Sequence, residues 1–314
     1  MISKGLLQYM VGGLLYMPAF QTNIVDKIKS QSIKCLTSIA LCLEDSIRDE
    51  AVKEAEKSLM EILQELKALS DSEMKLPLIF IRIRSPKHLQ KIHEKISPLK
   101  SIITGYILPK FDLSNSENYA AIIYEINRNK TEPLYIMPIL ETEMIADLTT
   151  RNEALIKIKR ILDIIKDSVL NIRVGVNDLS NLYGLRRGIN QTVYDMGVIR
   201  DILINVLSVF AKDYVVAGPV YNFFEDDNSS LKRELALDKL NGFIGKTAIH
   251  PAQLPIIYES LKVSRADYED AEQILNWQSN SHGVIKGQNR MNELKCHTKW
   301  AQRIKILSEI YGIG

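Results

Sequence analysis

The feature that most constrains the fold of this chain is a regular alternation between short apolar segments and longer amphipathic segments. Near-continuous apolar runs are typical of strands that are buried on both faces, and helical patterns lie between these runs. Such an alternation predicts a parallel sheet covered by helices. The eight candidate strands are Leu14–Pro18, Ser38–Glu44, Pro77–Ile83, Gly105–Lys110, Leu134–Glu141, Ile172–Asp178, Tyr214–Val220 and Phe243–His250.

The segments between the strands have the periodicity of amphipathic helices. The stretch "DEAVKEAEKSLMEILQELKAL" has apolar residues three or four positions apart, with charges on the other side: Val52, Ala55, Leu59, Ile62 and Leu66. A strand and a helix repeated eight times predict an α/β fold of the closed (β/α)8 TIM-barrel type. A doubly wound open sheet is the alternative, but no GxGxxG-type loop follows the first strand.

After His250 the chain has no further predicted barrel strand. The stretches "SRADYEDAEQILNW" and "KWAQRIKILSEIYG" have helical patterns, and "QSNSHGVIKGQNRMNE" between them is predicted to be a loop or hairpin. We therefore predict a TIM-barrel catalytic domain over residues 1–262 and a C-terminal helical extension over residues 263–314, which serves as a cap or a subunit contact.

Composition limits the cellular setting. With 40 Lys and Arg against 38 Asp and Glu, the net charge of +2 gives no electrostatic reason to expect a nucleic-acid partner. Cys35, Cys42 and Cys296 form neither a disulfide framework nor a zinc spacing. No run approaches the roughly 18 apolar residues of a membrane span, and the first residues lack a signal-peptide pattern. These features predict a cytoplasmic protein without a membrane partner.

Polar side chains end most of the candidate strands. In a TIM barrel the active site is built at the C-terminal ends of the strands. A single acid there is ordinary because acids also cap turns and helices, but several from different strands predict an active site. The candidates are Glu44, Asp45, Arg82, Arg84, Lys110, Glu141, Asp178 and His250.

The types of these residues point to particular chemistry. Glu141 and Asp178, two carboxylates from adjacent predicted strands, suit Mg²⁺. Glycoside hydrolysis also uses two carboxylates, but an aromatic content of 7% offers little for a sugar-stacking cleft. Arg82 lies in an apolar strand and needs an anion, either a ligand or a neighbouring acid. Lys110 is an imine-forming lysine or a structural one, and His250 is a general acid–base or a capping residue.

Seven stretches occur in an order that resembles a known family: "LYMPAF", "CLEDSI", "FIRIRSP", "YILPKFD", "ILETEM", "VGVNDL" and "GFIGKTAIHPAQL". The chain resembles the citrate lyase β-subunit-like branch of the HpcH/HpaI aldolase superfamily over about residues 14–262. Its tail is similar to that of a divergent subgroup of carbon–carbon bond lyases of TIM-barrel fold. The resemblance implies a barrel with bound Mg²⁺ (Mn²⁺ is the alternative), a substrate that is an acid or carries coenzyme A, and a homo-oligomer, either a trimer or a hexamer.

The resemblance also implies roles for individual residues. Glu141 of the "ET" motif and Asp178 of the "G-x-x-D" motif match the metal ligands of the family. Arg82 matches its anion-binding arginine, which we assign to catalysis and, together with Lys110, to substrate binding. Glu44 and Asp45 match acids near the metal, and either is a candidate general base. The chain departs from the family pattern at Cys42, Arg84, Asn177, Gly12-Gly13 and Gly218-Pro219.

The sequence thus predicts a Mg²⁺-dependent carbon–carbon bond lyase. It would catalyse a retro-aldol or retro-Claisen reaction on a small hydroxy or keto acid, or on its coenzyme A or carrier thioester. One alternative is a non-catalytic subunit of a biosynthetic complex that binds a nucleotide or thioester. Another is a phosphoenolpyruvate-type Mg²⁺ barrel enzyme.

Overall fold

Seven parallel strands form the central sheet of the protein. The computed structural model describes residues 2–21, 23–224, 228–277 and 283–314. The strands are β1 (Gly13–Pro18), β2 (Ser38–Cys42), β3 (Leu78–Arg82), β4 (Gly105–Leu108), β5 (Tyr135–Leu140), β6 (Arg173–Val174) and β7 (Lys246–Ala248). They lie in the order β6-β5-β4-β3-β2-β1-β7, and every neighbouring pair is parallel.

The segment 214–220, predicted to be a full strand, fills the gap between the two edge strands through isolated bridges. Val216 pairs with Ile172 just before β6, and Gly218 pairs with Lys246 of β7, both in parallel. Pro219 follows at once and has no N–H to extend the ladder. The two bridges close the sheet into a ring, and the predicted TIM-barrel fold is confirmed.

Helices connect the strands and surround the barrel. They are α1 (Lys4–Met10), α2 (Ile24–Lys29), α3 (Val52–Asp71), α4 (Pro86–Lys95), α5 (Ser116–Asn127), α6 (Glu143–Ala146), α7 (Leu148–Ile164), α8 (Val176–Leu182), α9 (Gly197–Phe210), α10 (Ser229–Asn241), α11 (Gln253–Leu261), α12 (Arg265–Leu275) and α13 (Leu294–Tyr311). Within the described ranges, none of them is long and apolar enough to cross a membrane.

The apolar strands divide their side chains between two cores. On β3, Phe80 packs inside the barrel with Leu14 and Ile107 from neighbouring strands. Ile79 and Ile81 belong to the larger core between the strands and the surrounding helices. A strand buried on both faces therefore keeps its period of two, although its sequence shows an unbroken apolar run. The same alternation directs Arg82, two residues after Phe80, toward the barrel interior.

The C-terminal extension packs against the N-terminal end of the barrel. Its helices form a third apolar cluster with Val215 and Ile244, which precede the strand segments at that end. The Tyr311 hydroxyl of α13 donates a hydrogen bond to the Tyr9 carbonyl of α1, 2.6 Å away. The extension therefore covers the end of the barrel opposite the strand C-termini, and its predicted role as a subunit contact stays a prediction.

The predicted hairpin precedes α13. It consists of the antiparallel strands β8 (Val284–Lys286) and β9 (Met291–Glu293). The beginning of that predicted stretch, residues 278–282, lies outside the described residues. The boundary between residues 262 and 263 stays a prediction.

Candidate active site

A cavity of about 590 Å³ opens at the C-terminal ends of the strands. This is the end of a TIM barrel where active sites are built. Residues from six of the seven sheet strands, or from the loops after them, form its wall. Those with polar side chains include Tyr16, Asp45, Arg82, Glu141, Arg173, Asp178 and Thr247.

Arg82, at the end of β3, is the centre of the charge cluster at this cavity. Its Nη2 atom lies 2.8 Å from Glu44 Oε2, 2.9 Å from Asp45 Oδ2 and 3.4 Å from Glu141 Oε1. The neighbouring acids expected for a buried arginine are therefore present. Among the described residues its buried Nε atom has no hydrogen-bond partner.

Glu141 directly follows β5 and is 3% exposed. Burial raises the pKa of this carboxyl to about 8, Arg82 opposes the rise, and Asp178 adds to it. The Lys110 backbone N–H donates to Glu141 Oε1 over 2.9 Å. Lys110 holds a positive φ of 48°, which is unusual for a residue with a side chain. The turn at Lys110 after β4 thus directs a backbone N–H toward the Glu141 carboxylate after β5.

Asp178 does not end a strand, contrary to the sequence prediction. The strand β6 ends at Val174, and Asp178 lies in the first turn of α8, which begins at Val176. Its carboxyl nevertheless lies close enough to that of Glu141 for each group to influence the pKa of the other. Burial and the nearby Asp45 raise the pKa of Asp178. The predicted pair of acids is therefore brought together, although a helical turn carries one of them.

Gly175, between β6 and α8, gives Glu141 its room. A Cβ atom on this glycine would lie 1.8 Å from Glu141 Oε2, far inside van der Waals contact. The Glu141 carboxylate therefore packs directly against the backbone of Gly175 in the "VGVND" stretch. Only a residue without a side chain fits there while Glu141 faces Asp178.

The Glu141–Asp178 pair fits a divalent metal of the hard-oxygen type. Two carboxyl groups with raised pKa values lie side by side, and a bound cation would stabilise both in their charged form. In the part of the chain that the structure describes, no group of three or more His, Cys, Asp or Glu side chains is arranged for a metal. Mg²⁺ typically has few protein ligands and takes its other ligands from water and substrate, whereas structural zinc has four protein ligands.

Lys110 and Glu44 stand behind the cavity wall and do not line it. The Lys110 Nζ atom lies 2.5 Å from Glu44 Oε1 and 3.0 Å from Asp45 Oδ1. Partial burial lowers the pKa of Lys110, but these two acids raise it above its ordinary value. An imine-forming lysine needs a neutral amine, so this geometry favours the structural reading. The role of Lys110 in substrate binding stays a prediction.

Two further sequence candidates have structural contacts. The Arg84 guanidinium donates to the carbonyls of Leu43 and Ile47, each over 3.2 Å, and so fixes the loop after β2. The His250 ring stacks on Phe224 at 4.5 Å, and its Nδ1 atom accepts the Ala252 N–H. His250 is thus a packing and capping residue here.

Sequence reasoning missed three polar residues that the strands contribute to the cavity wall: Tyr16 on β1, Arg173 on β6 and Thr247 on β7. Arg173 is 2% exposed. An arginine inside an apolar strand was the signal that marked Arg82, and the same signal was present in "IRVGVND". Tyrosine and threonine are ordinary strand residues, so nothing in the sequence distinguished the other two.

The departures from the family pattern lie in different places. Gly12 is at the N-terminal end of the barrel, where a Cβ atom would lie 2.7 Å from the Tyr311 hydroxyl. A Cβ atom on Gly218 would meet Asp238 Oδ2 at 2.7 Å, so this glycine permits close packing beside β7. Asn177 accepts a hydrogen bond from Asn222 on the cavity rim.

A closed barrel with acids and an arginine converging at the C-terminal ends of its strands has the architecture of a TIM-barrel enzyme. The chain belongs to the family of C–C bond lyases of the TIM-barrel fold, whose profile matches residues 5–313. The sequence matches no curated protein.

Several solved structures share the fold. A citrate lyase from Burkholderia xenovorans LB400 has a TM-score of 0.67 at 15% identity, covering 96% of this chain and 92% of that one. Protein CitE from Mycobacterium tuberculosis, in complex with magnesium, acetoacetate and coenzyme A, has a TM-score of 0.64 at 16% identity, covering 95% and 98%. RipC from Yersinia pestis has a TM-score of 0.56 at 16% identity, covering 81% and 95%.

Proposed function

We propose that this protein is a Mg²⁺-dependent carbon–carbon bond lyase that acts on a small hydroxy or keto acid, or on its thioester. The observation that carries the proposal is the pair of Glu141 and Asp178 carboxyls beside the Arg82 guanidinium at the cavity. Family membership supports the reaction class. The M. tuberculosis relative has been solved with magnesium and oxaloacetate and with acetoacetate and coenzyme A, which makes these compounds the first to test.

Four residues at the cavity have separate roles in the proposed cleavage: Glu141, Asp178, Asp45 and Arg82. A Mg²⁺ ion on Glu141 and Asp178 would supply Lewis-acid polarisation of the substrate oxygens. Burial raises the pKa of Asp45, but the effect is outweighed by three neighbours that lower this pKa: Arg82, Glu44 and Lys110. The half-exposed Asp45 carboxylate faces the cavity and is the candidate base. Arg82 lines the cavity, where its positive charge can stabilise a developing oxyanion.

In the cleavage direction Asp45 takes the proton of the substrate hydroxyl, and the O–H electron pair forms the new carbonyl. The carbon–carbon bond breaks, and its electron pair becomes the enolate of the departing fragment beside Arg82. The proton then returns from Asp45 to the enolate carbon, so no oxidant or reductant is consumed. Condensation is the same sequence reversed.

The departures from the family pattern at Gly12-Gly13 and Gly218-Pro219 are the motive for the non-catalytic alternative. Gly12 packs against α13 at the end of the barrel opposite the cavity. Its difference from the family pattern therefore gives no support to a loss of chemistry at the cavity. The phosphoenolpyruvate alternative is examined by including that compound as a substrate.

The test is a screen for Mg²⁺-dependent cleavage of 3-hydroxy acids and their coenzyme A thioesters, with Glu141→Gln. We expect Glu141→Gln to lower turnover by about 100-fold or more and to weaken Mg²⁺ binding by calorimetry, because a ligand charge is lost. Glu143→Gln is the matched control, since Glu143 is exposed on α6 and outside the cavity wall. Full turnover by Glu141→Gln would contradict the proposal.

A further inference from the structure

Arg173 occupies the floor of the candidate active site. It lies on β6, paired in register with Ile139 of β5. Glu141 is two residues further along the chain than Ile139, so Arg173 lies one inward-facing position, about 7 Å, deeper in the barrel. Both residues line the same cavity.

The Arg173 guanidinium is buried without an acid. Its Nη2 atom donates to Thr247 Oγ1 over 2.6 Å. The Nε and Nη1 atoms are buried and have no hydrogen-bond partner in the described residues, and no described aspartate or glutamate forms an ion pair with it. Burial lowers the pKa of Arg173, opposed by Tyr16.

The other buried arginines of the described chain are neutralised. Arg82 contacts three carboxylates, Arg151 pairs with Asp201 at 2.5 Å, and Arg187 pairs with Glu234. A buried charge without a counter-charge is strongly destabilising. Arg173 therefore differs from the rest in a way that packing alone does not explain, and an anion entering the cavity would supply what it lacks.

The surroundings of Arg173 suit a single carboxylate. Thr247 and Tyr16 flank the guanidinium, and burial raises the pKa of Tyr16, so that its hydroxyl stays a hydrogen-bond donor. One guanidinium charge balances one carboxylate, and its planar fork matches the two oxygens. A phosphate dianion would leave a negative charge uncompensated at this depth.

We propose that Arg173, flanked by Thr247 and Tyr16, binds a second carboxylate of the substrate. This inference rests on the proposed function, in which a Mg²⁺ ion on Glu141 and Asp178 would polarise the oxygens at one end of the substrate. The substrate is then a short hydroxy or keto dicarboxylic acid. It would lie between the Glu141–Asp178 pair at the cavity mouth and Arg173 deeper in the barrel. Arg173 is the residue that selects this class over acids with an apolar end.

The test compares the binding of malate and lactate by calorimetry in the presence of Mg²⁺. The two hydroxy acids differ by one carboxylate. We expect the wild-type protein to bind malate about 10- to 100-fold more tightly, which is the contribution of hydrogen bonds to a charged group. Arg173→Met should remove this preference and leave lactate affinity unchanged, and Arg173→Lys should restore part of it.

Two further variants separate recognition from folding. Thr247→Val removes the hydroxyl that orients Arg173 and should lower the malate preference with little change in thermal stability. Arg151→Met, a buried arginine outside the cavity, should lower the melting temperature and leave the preference unchanged. By contrast, Arg173→Met should melt at or above the wild-type temperature, because it removes an unpaired buried charge.

An equal affinity of the wild-type protein for both acids, or no binding of either, would overturn the subsite. So would a loss of both affinities to the same extent in Arg173→Met. The proposed function is judged separately, by Mg²⁺-dependent cleavage: a protein that prefers malate and cleaves nothing would retain the subsite and lose the lyase activity.

Discussion

At the scale of single residues, the candidate site depends on a glycine, Gly175, beside one of its acids. Glu141 can lie beside Asp178 because Gly175 leaves its carboxylate space that a Cβ atom would fill. Gly175 has a φ of −88°, which any residue adopts, so its backbone conformation does not require glycine. Close approach is the reason for glycine here, and the site is therefore sensitive to the addition of one methyl group.

We predict that Gly175→Ala weakens Mg²⁺ binding by about 10- to 100-fold, because the new methyl group displaces a carboxylate that would hold the metal. Calorimetric titration with Mg²⁺ measures this. The matched control is Gly197→Ala, where a Cβ atom would have no heavy atom within 4 Å, and where the affinity should stay unchanged. An unaltered affinity in Gly175→Ala would contradict the inference that the space beside Gly175 positions Glu141 for metal binding.

Arg82 and Arg173 show how far single residues could be interpreted from the sequence. The cost of burying an arginine in an apolar strand identified Arg82, and three acids surround it in the structure. The same energetic cost of burial applied to Arg173, but the sequence analysis interpreted its strand only through Asp178. Which of the two arginines would have acids around it depends on the loops after β2 and β5, and strand patterns carry no information about these.

At the scale of elements, the strands end earlier than their apolar runs indicate. The runs predicted to reach Glu44, Lys110 and Glu141 stop pairing at Cys42, Leu108 and Leu140. The polar residues after the last pair belong to the loops, where they are free to turn toward the cavity. The sixth strand deviates most: β6 has two residues and a helix begins at Val176, so that Asp178 reaches the site from a helical turn.

The contact between α10 and β7 depends on a buried charge network that no strand or helix pattern predicts. Lys246 is fully buried, and its Nζ atom lies 2.8 Å from Glu234 Oε1 and 2.6 Å from Asp238 Oδ2. The two acids stand four residues apart on α10, which puts them on one face of the helix. Thr247, the next residue of β7, lines the cavity, so the network fixes the strand that orients Arg173.

We predict that Lys246→Met destabilises the protein by about 3–5 kcal/mol, because buried Asp238 loses its counter-charge and buried Glu234 is left with Arg187 alone. Urea unfolding followed by circular dichroism measures the change. Lys57→Met is the control: Lys57 pairs with Glu61 on the surface, where an ion pair contributes less than about 1 kcal/mol. Equal unfolding free energies of the two variants would show that the network contributes nothing beyond surface pairing.

At the scale of the whole molecule, the two ends of the barrel have different tasks. The C-terminal ends of the strands carry the polar cavity, while α1 and α13 close the other end with apolar contacts and the Tyr311–Tyr9 hydrogen bond. The alternation of apolar and amphipathic segments predicted the barrel itself. It could not predict which end the extension would cover, because that depends on contacts between residues far apart in the chain, such as Tyr9 and Tyr311, which are 302 positions apart.

This division predicts the effect of Gly12→Arg, which introduces a long charged side chain at the N-terminal end of the barrel. Gly12 has a φ of 57°, and a Cβ atom there would lie 2.7 Å from the Tyr311 hydroxyl. A side chain in this conformation costs about 1–3 kcal/mol, before any displacement of α13. We therefore expect lower unfolding free energies for Gly12→Arg and Gly12→Ala, with unchanged Mg²⁺ affinity and an unchanged preference for malate over lactate. If Gly12→Arg altered either binding property while Gly12→Ala did not, the N-terminal end of the barrel would take part in ligand recognition, and the separation of the two ends would be wrong.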